Sequence, residues 1–400
     1  MLSTIGDELA RVALTVLVYQ RTSSPLLSAI TFGISYLPWL LGGPLLSTLA
    51  DRFPRHRVLI TTDVARALLV AGMAVPGTPL PVLLGLLLLV ALCAPPFEAA
   101  RSALMADVLD GDRYAVGTSL TNVGAQVAQV TGFALAGLLV ALFSPSAVLL
   151  LDAATFAVSA VWLSARLQRR PAPGAEDPGA ARSVWRDAGA ALRLIGRTPR
   201  LRAIISVTWV GTLFVNASEG IAAPLVDTLG GHATQIGVLL AANPLGVTLG
   251  GLVLARLVGP QQRERLVPVL VVLSLLPILL AGLLALWAVP GQATFALVVL
   301  LLFISGLGAA WTIPLNVAFV QAVPAAYRGR AFGVAVSGIY GVQGLGVLAA
   351  GLAAEGLPAG GVVALIGGVG LVAVVGPLLS FVRTQGTVPA SRPGAGRSST

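Results

Sequence analysis

Asp51-Arg52-Phe53-Pro54-Arg55-His56-Arg57 is the stretch on which the reading of this chain turns. Five of its seven residues are charged or titratable, yet residues 22–50 before it carry no formal charge and the chain after it soon turns apolar again. Such a segment is a tight basic hairpin between two membrane spans. Its arginines assign it to the cytoplasmic side, because short basic loops are retained there.

Composition extends that reading to the whole chain. Of 400 residues 56% are hydrophobic and only 10% charged, with a mean hydropathy of +0.91. These values describe a polytopic membrane protein, not two or three soluble domains. The formal charge of +9 comes entirely from arginine, since the chain has no lysine. Nearly all the arginines fall in loops that alternate to one face, so the charge reports topology and no nucleic-acid partner is implied. A single cysteine, Cys93, lies in an apolar run, and His56 and His232 sit in loops far apart. No intramolecular disulfide, zinc or haem site is expected, and no cofactor.

A spanning helix needs roughly 20 residues, and counting outward from the loop yields twelve. The first, residues 1–19, carries Asp7, Glu8 and Arg11 and is short of an apolar first half. The second, 26–46, has Pro38 and Pro44 as kink points. Spans follow at 58–75, 80–105, 115–143 and 147–165, with Asp107, Asp110, Asp112 and Arg113 in the inner loop. Residues 166–202 then hold nine arginines against Glu176, Asp177 and Asp187. A Pro/Ala/Gly-rich linker opens that segment, and Val184, Ala188, Ala191, Leu192 and Ile195 recur at helical spacing, which predicts a basic amphipathic helix on the inner face. Spans seven and eight are 203–226 and 233–255. The uncharged 62-residue stretch 266–327 is broken into two spans at 287–292, and the last two lie either side of 355–358. The expected organisation is an N-terminal six-helix bundle (1–165), a cytoplasmic linker (166–202), a C-terminal six-helix bundle (203–382) and a disordered tail (383–400). This is an all-α membrane protein of the plasma membrane, a monomer with both termini cytoplasmic.

The halves echo each other, as they do in transporters built from duplicated bundles. Ser47 lies five residues before Arg52, and Gly251 five before Arg256. Pro96 in span four matches Pro314 in span ten, and Arg113 before Gly117 matches Arg330 before Gly333. With Ser47, Asp51, Arg52, Arg55 and Arg57 between spans two and three, the chain resembles the major facilitator superfamily over nearly its whole length. Ser47 stands where that motif has its first glycine, and Pro54 where a second glycine is common. Gly6-Asp7, Pro38, Asp63 with Arg66, Phe97 to Arg101 and Asn122 look most like the branch that exports macrolides and enterobactin. The antiporter glycine-proline signature of span five is incomplete, since Phe133 follows Gly132. The resemblance implies an inner gate formed by the Asp51 loop, Asp63 with Arg66, and Glu98 with Arg101.

Charged side chains inside a membrane cost about 2.5–3.5 kcal/mol each on the lenient insertion scale, so each needs a reason. Asp7 and Arg11 are i, i+4 neighbours and either form a structural ion pair or, with Glu8, take up a coupling proton. Asp63 and Arg66, like Glu98 and Arg101, are i, i+3 neighbours and form either a latch or a static pair. Asn122, Gln126 and Gln129 share one face of span five and must face protein or a water-filled cavity. Asn216, Glu219, Asn243, Trp311, Asn316, Tyr340 and Gln343 are further cavity candidates, or else helix-to-helix hydrogen bonds; Glu219 is placed near the outer end of its span.

The expected function is secondary active transport by alternating access, exporting an amphipathic drug-like or siderophore-like molecule against a proton or other ion gradient. No Walker lysine exists to bind a nucleotide. Import or uniport of a small organic solute is the alternative within the class. A membrane sensor or lipid-handling enzyme is the alternative outside it, though no clustered nucleophile and base is present for an enzyme.

Overall fold

The computed structural model describes residues 2–41, 53–109, 112–167, 180–324 and 327–385. Expectations resting on Pro44, Ser47, Asp51, Arg52, Asp110 and the tail beyond 385 fall outside the described residues, as does the side chain of Asn122.

All regular structure among the described residues is helical. Six helices form the first bundle: α1 (Leu2–Thr22), α2 (25–41), α3 (Arg55–Met73), α4 (80–108), α5 (Asp112–Leu142) and α6 (Pro145–Arg166). Six form the second: α7 (Pro199–Thr228), α8 (Ala233–Leu257), α9 (Val267–Trp287), α10 (Gln292–Ala322), α11 (Arg328–Ala354) and α12 (Ala359–Thr384). Among the described residues nine helices, α4 to α12, are long and apolar enough by themselves to cross a membrane. The other three miss for visible reasons. Four charged residues each burden α1 and α3, and α2 is described only to Leu41.

Prolines set the internal breaks. Pro38 has no N–H to give the Ile34 carbonyl, so α2 tightens into a 3₁₀ turn at Ile34–Tyr36 and Leu37 N–H bonds that carbonyl instead. The same remedy appears in α7, where Pro224 leaves the Gly220 carbonyl without its helical donor and a 3₁₀ turn fills Ala217–Ile221. The Pro96/Pro314 repeat is structural as well: α4 breaks at Cys93 between Leu80–Leu92 and Ala94–Val108, and α10 breaks between Gln292–Ala309 and Thr312–Ala322.

Within the first bundle α1 packs on α5 and α6, and α3 on α4 and α6; within the second α7 packs on α11 and α12, α8 on α10, and α9 on α10 and α12. The bundles meet mainly along two helix pairs, α2 with α11 and α5 with α8, and α2 also packs on the 3₁₀ turn of α7. In lipid, helices gain little from the hydrophobic effect and associate by close packing, which small residues permit. Gly137 of α5 lies so near α8 that a Cβ there would come within 2.6 Å of Thr234 O and 2.8 Å of Gly237 Cα. Across the other pair, a Cβ on Gly351 would meet Ala29 Cβ at 2.2 Å. One apolar core runs through this seam, from Val12, Phe32 and Phe133 to Ile221, Val226 and Val347.

The linker helix, Ala180–Arg197, packs on α7 and α11. Ala191 and Ile195 are buried in the core of the second bundle, whereas Leu192, expected on the same apolar face, is half exposed. Among its described residues, the face is used against protein at Ala191 and Ile195.

Candidate functional site

Both seam contacts lie toward the face opposite the arginine-rich loops, and polar contacts reinforce them there. The Glu355 carboxylate at the end of α11 accepts from Ser24 Oγ (2.6 Å) and from Leu26 N–H (3.0 Å), capping the N-terminus of α2 across the bundle boundary. These two donors hold Glu355 below the ordinary glutamate range. Tyr19 OH of α1 donates to Asp227 of α7 at 3.2 Å. Among the described residues of the arginine-rich face, Arg55 pairs with Asp107 inside the first bundle and Arg200 with Glu264 inside the second.

Two adjoining hollows of about 1050 and 690 Å³, the larger within the first bundle and the smaller between the bundles, run from mid-membrane toward the arginine-rich face. They share Glu8, Arg11, Tyr36 and Tyr340. At their apex α2 and α11 stack aromatics across the seam, Trp39 on Tyr340 with centroids 4.8 Å apart and Tyr36 at 6.1 Å from Tyr340. Arg11 lies over the Phe32 and Tyr36 rings at 5.3 and 6.0 Å, a cation–π arrangement that keeps the guanidinium solvated by protein.

The larger hollow belongs to the first bundle. Arg11 pairs with Glu8 at 3.0 Å, one turn away, so the expected Asp7–Arg11 partnership is corrected: Asp7 turns instead toward α3 and α6 and lines this hollow alone. Asp63 is fully buried and accepts from Ser159 Oγ at 2.6 Å. Arg66 lies between the rings of Phe97 and Phe156, at 5.2 and 5.4 Å. Glu98 and Arg101 do pair, at 2.6 Å, on the hollow wall. Of the remaining gate residues, Arg55 also donates to Ala103 O at 3.1 Å, and Arg57 is exposed.

The smaller hollow gathers the amides. Gln126 and Gln129 from α5 face Asn216, Glu219, Asn243, Asn316 and Gln343 of the second bundle. Glu219 sits in the 3₁₀ turn of α7 and accepts from Tyr36 OH at 3.3 Å, so it belongs to the hollow and not to the helix end. Asn243 donates to Ser305 Oγ at 3.4 Å, which in turn donates to Ser274 O at 2.6 Å. Trp311 is 1% exposed, donates from Nε1 to Ser274 Oγ at 3.2 Å and packs on Gly211; it is mainly a wall element.

Sequence reasoning missed Asp152, Tyr36 and Trp39. Asp152 was open to discovery by the same cost argument applied elsewhere, since it is the only charged residue between Phe143 and Arg166. The aromatics carried no such mark, because rings in apolar helices are ordinary.

A family model, Major Facilitator Superfamily, matches residues 1–276. The chain is 27% identical over 370 residues to YfiS of Bacillus subtilis (strain 168), an uncharacterized MFS-type transporter, covering 87% of this chain and 84% of that one. Among solved structures it is similar to a POT family transporter in complex with 5-aminolevulinic acid, with a TM-score of 0.75 and 12% identity over 96% of this chain and 95% of the other. It is likewise similar to a mutant of the nucleoside transporter NupG, with a TM-score of 0.71 and 16% identity over 95% and 98%.

Proposed function

Because the chain belongs to the Major Facilitator Superfamily and is a multi-pass membrane transporter, we propose that it exports an amphipathic organic molecule, drug-like or siderophore-like, in exchange for protons. The observation that carries the substrate class is the hollow itself. Its walls are mostly apolar, with spaced amides in the smaller part, charged side chains gathered on the first-bundle side of the larger part, and a tyrosine–tryptophan stack. A sugar or phosphate would ask for denser hydrogen bonding than these walls offer, while an amphipathic molecule finds apolar area plus a few orienting polar groups.

The arginine-rich face is the cytoplasmic one by the loop-bias rule, in the plasma membrane, with both termini inside. The two hollows then run toward the cytoplasmic face, and the seam contacts join the bundles at the opposite one. Export direction rests on the resemblance of the Gly6-Asp7, Pro38 and Asn122 context to macrolide and enterobactin exporters. One proton crossing about 150 mV releases roughly 3.5 kcal/mol, enough for accumulation of several-hundred-fold. In this reading Arg55, Arg57, Glu98 and Arg101, with Asp51 and Arg52, latch the cytoplasmic side when the hollow faces outward.

The test is flux in proteoliposomes over a panel of lipophilic drugs, siderophores, peptides, nucleosides and sugars, with and without a proton gradient. Gradient-driven movement of the amphipathic compounds out of the compartment facing the arginine-rich side is expected. Movement restricted to sugars or peptides, or movement indifferent to the gradient, would overturn the proposal. Asp51→Ala should slow flux while leaving membrane insertion intact, and an unchanged rate would remove the latch.

A further inference from the structure

The charges that face the two hollows balance in one and not in the other. Among the described residues the larger hollow is lined by four acids, Asp7, Glu8, Glu98 and Asp152, and by four guanidinium groups, those of Arg11, Arg66, Arg101 and Arg166. The smaller is lined by two acids, Glu8 and Glu219, and by Arg11 as its single cation. Glu8 and Arg11 are paired with each other at 3.0 Å. Among the described ion pairs none includes Glu219. One negative charge is therefore left over, and it lies in the hollow between the bundles.

The 3₁₀ turn Ala217–Ile221 that carries Glu219 is pinned in the seam. A Cβ on the adjacent Gly220 would come within 2.5 Å of Val347 Cγ1 in α11 and 3.2 Å of Ala29 in α2. One carboxylate oxygen accepts from Tyr36 OH at 3.3 Å, a long bond from a neutral donor. The other accepts no hydrogen bond among the described residues and, unlike Asp63 Oδ1 and Asp152 Oδ2, is not sealed from solvent. It is open to the hollow. The surroundings suit a cation. Tyr36 and Tyr340 line this hollow, and Trp39 stacks on Tyr340, so three π systems cluster beside the carboxylate. Gln126, Gln129, Asn216 and Gln343 add carbonyl oxygens that accept from an N–H. An anion here would meet an unmatched carboxylate. An uncharged molecule would displace its water and leave it without a counter-ion, which is the costly arrangement.

We propose that the smaller hollow is a monocation site, in which Glu219 receives the protonated or quaternary amine of the amphipathic substrate. This rests on the amphipathic-substrate reading above and names that molecule's polar end. Glu219 then sets specificity by charge, while the apolar walls accept the remainder of the molecule with little regard to its shape. A monocation leaving for one entering proton moves no net charge, so the membrane potential contributes to such export only if a second proton enters.

The test uses three bulky phenyl probes that differ in charge: tetraphenylphosphonium, tetraphenylborate and uncharged triphenylphosphine oxide. Their binding to the full chain in lipid nanodiscs is measured by equilibrium dialysis against empty nanodiscs. The phosphonium should bind best. Glu219→Gln should weaken it roughly tenfold or more and leave the phosphine oxide unchanged, and Glu219→Asp should restore part of the loss. A parent that binds the phosphonium no better than the other two overturns the proposal. So does phosphonium binding that Glu219→Gln leaves intact, or a loss of all three probes alike in both Glu219 variants. Flux in vesicles separates this site from the reading it rests on. Proton-driven export of uncharged amphipathic compounds with no phosphonium preference sinks only the monocation site, and Glu219-dependent phosphonium binding without flux of any compound sinks only the transport reading.

Discussion

The two bundles share a fold and a pattern of proline breaks, but some of their glycines serve different ends. In the second bundle two of them let backbone meet backbone: a Cβ on Gly282 of α9 would lie 2.0 Å from Ala364 N of α12, and one on Gly306 of α10 would lie 2.1 Å from Asn243 O of α8. In the first, glycine makes room for an acid, Gly6 for the Asp152 carboxylate and Gly132 for the Glu8 side chain, whose Cβ would be 2.7 Å away. Charge divides the same way. Asp7, Glu8, Arg11, Asp63, Arg66, Glu98, Arg101 and Asp152 lie in α1 to α6, while Glu219 alone faces the hollow from the second bundle. One half gathers the buried charge, and the other is drawn together by close backbone contacts.

Removing a charge from the first bundle should cost most. Arg11→Met leaves Glu8, 6% exposed, without its partner, and losing one member of a buried pair costs about 3–5 kcal/mol. Thermal unfolding in detergent should fall steeply and be largely restored by adding Glu8→Gln; a single variant as stable as the parent would erase the contrast. Next comes Gly282→Val, where backbone must yield to a side chain, at about 3 kcal/mol or somewhat less. Gly6→Ala should cost less, because a carboxyl can swing aside where an α12 peptide cannot, and equal losses would show that the two uses of glycine do not differ.

The seal on the far face offers a subtler test. Glu355 is held below the ordinary carboxylate range by Ser24 and Leu26, so its capping bond is intact above that range and is lost as pH falls through its lowered value. Spin labels at Val75 and Gln292, exposed tips of opposite bundles, should keep one distance at neutral pH and gain a longer one when that face is made strongly acid. Glu355→Gln should show the longer distance already at neutral pH, and a single unchanging distance would assign the seal to the glycine contacts alone. The smallest effect is expected from Tyr36→Phe, which deletes the hydrogen bond to Glu219 and should cost roughly 0.6 kcal/mol.

Much of this was legible without coordinates. Apolar run lengths and arginine placement located twelve helices, and Pro38 was read as a kink point because a missing N–H acts locally; the matching breaks at Pro96 and Pro314 were not anticipated, although the same argument reaches them. Pairing was less legible. Asp7 and Glu8 are both within one turn of Arg11, and only the rotation of α1 against α5 and α6 decides between them. Glu219 looked terminal because a proline-induced 3₁₀ turn re-aims its helix toward the hollow. The seam could not be read at all, since Gly137 meeting Gly237 is a property of two distant helices and neither residue announces its partner.

The Trp39–Tyr340 stack reaches across the divide between bundles, whereas the indoles of Trp162, Trp209, Trp287 and Trp311 each stay within one. Ring contact at 4.8 Å alters indole emission, so any separation of the bundles at this point changes it. The chain therefore contains its own optical gauge of the transport cycle, readable by steady fluorescence on protein with no label attached.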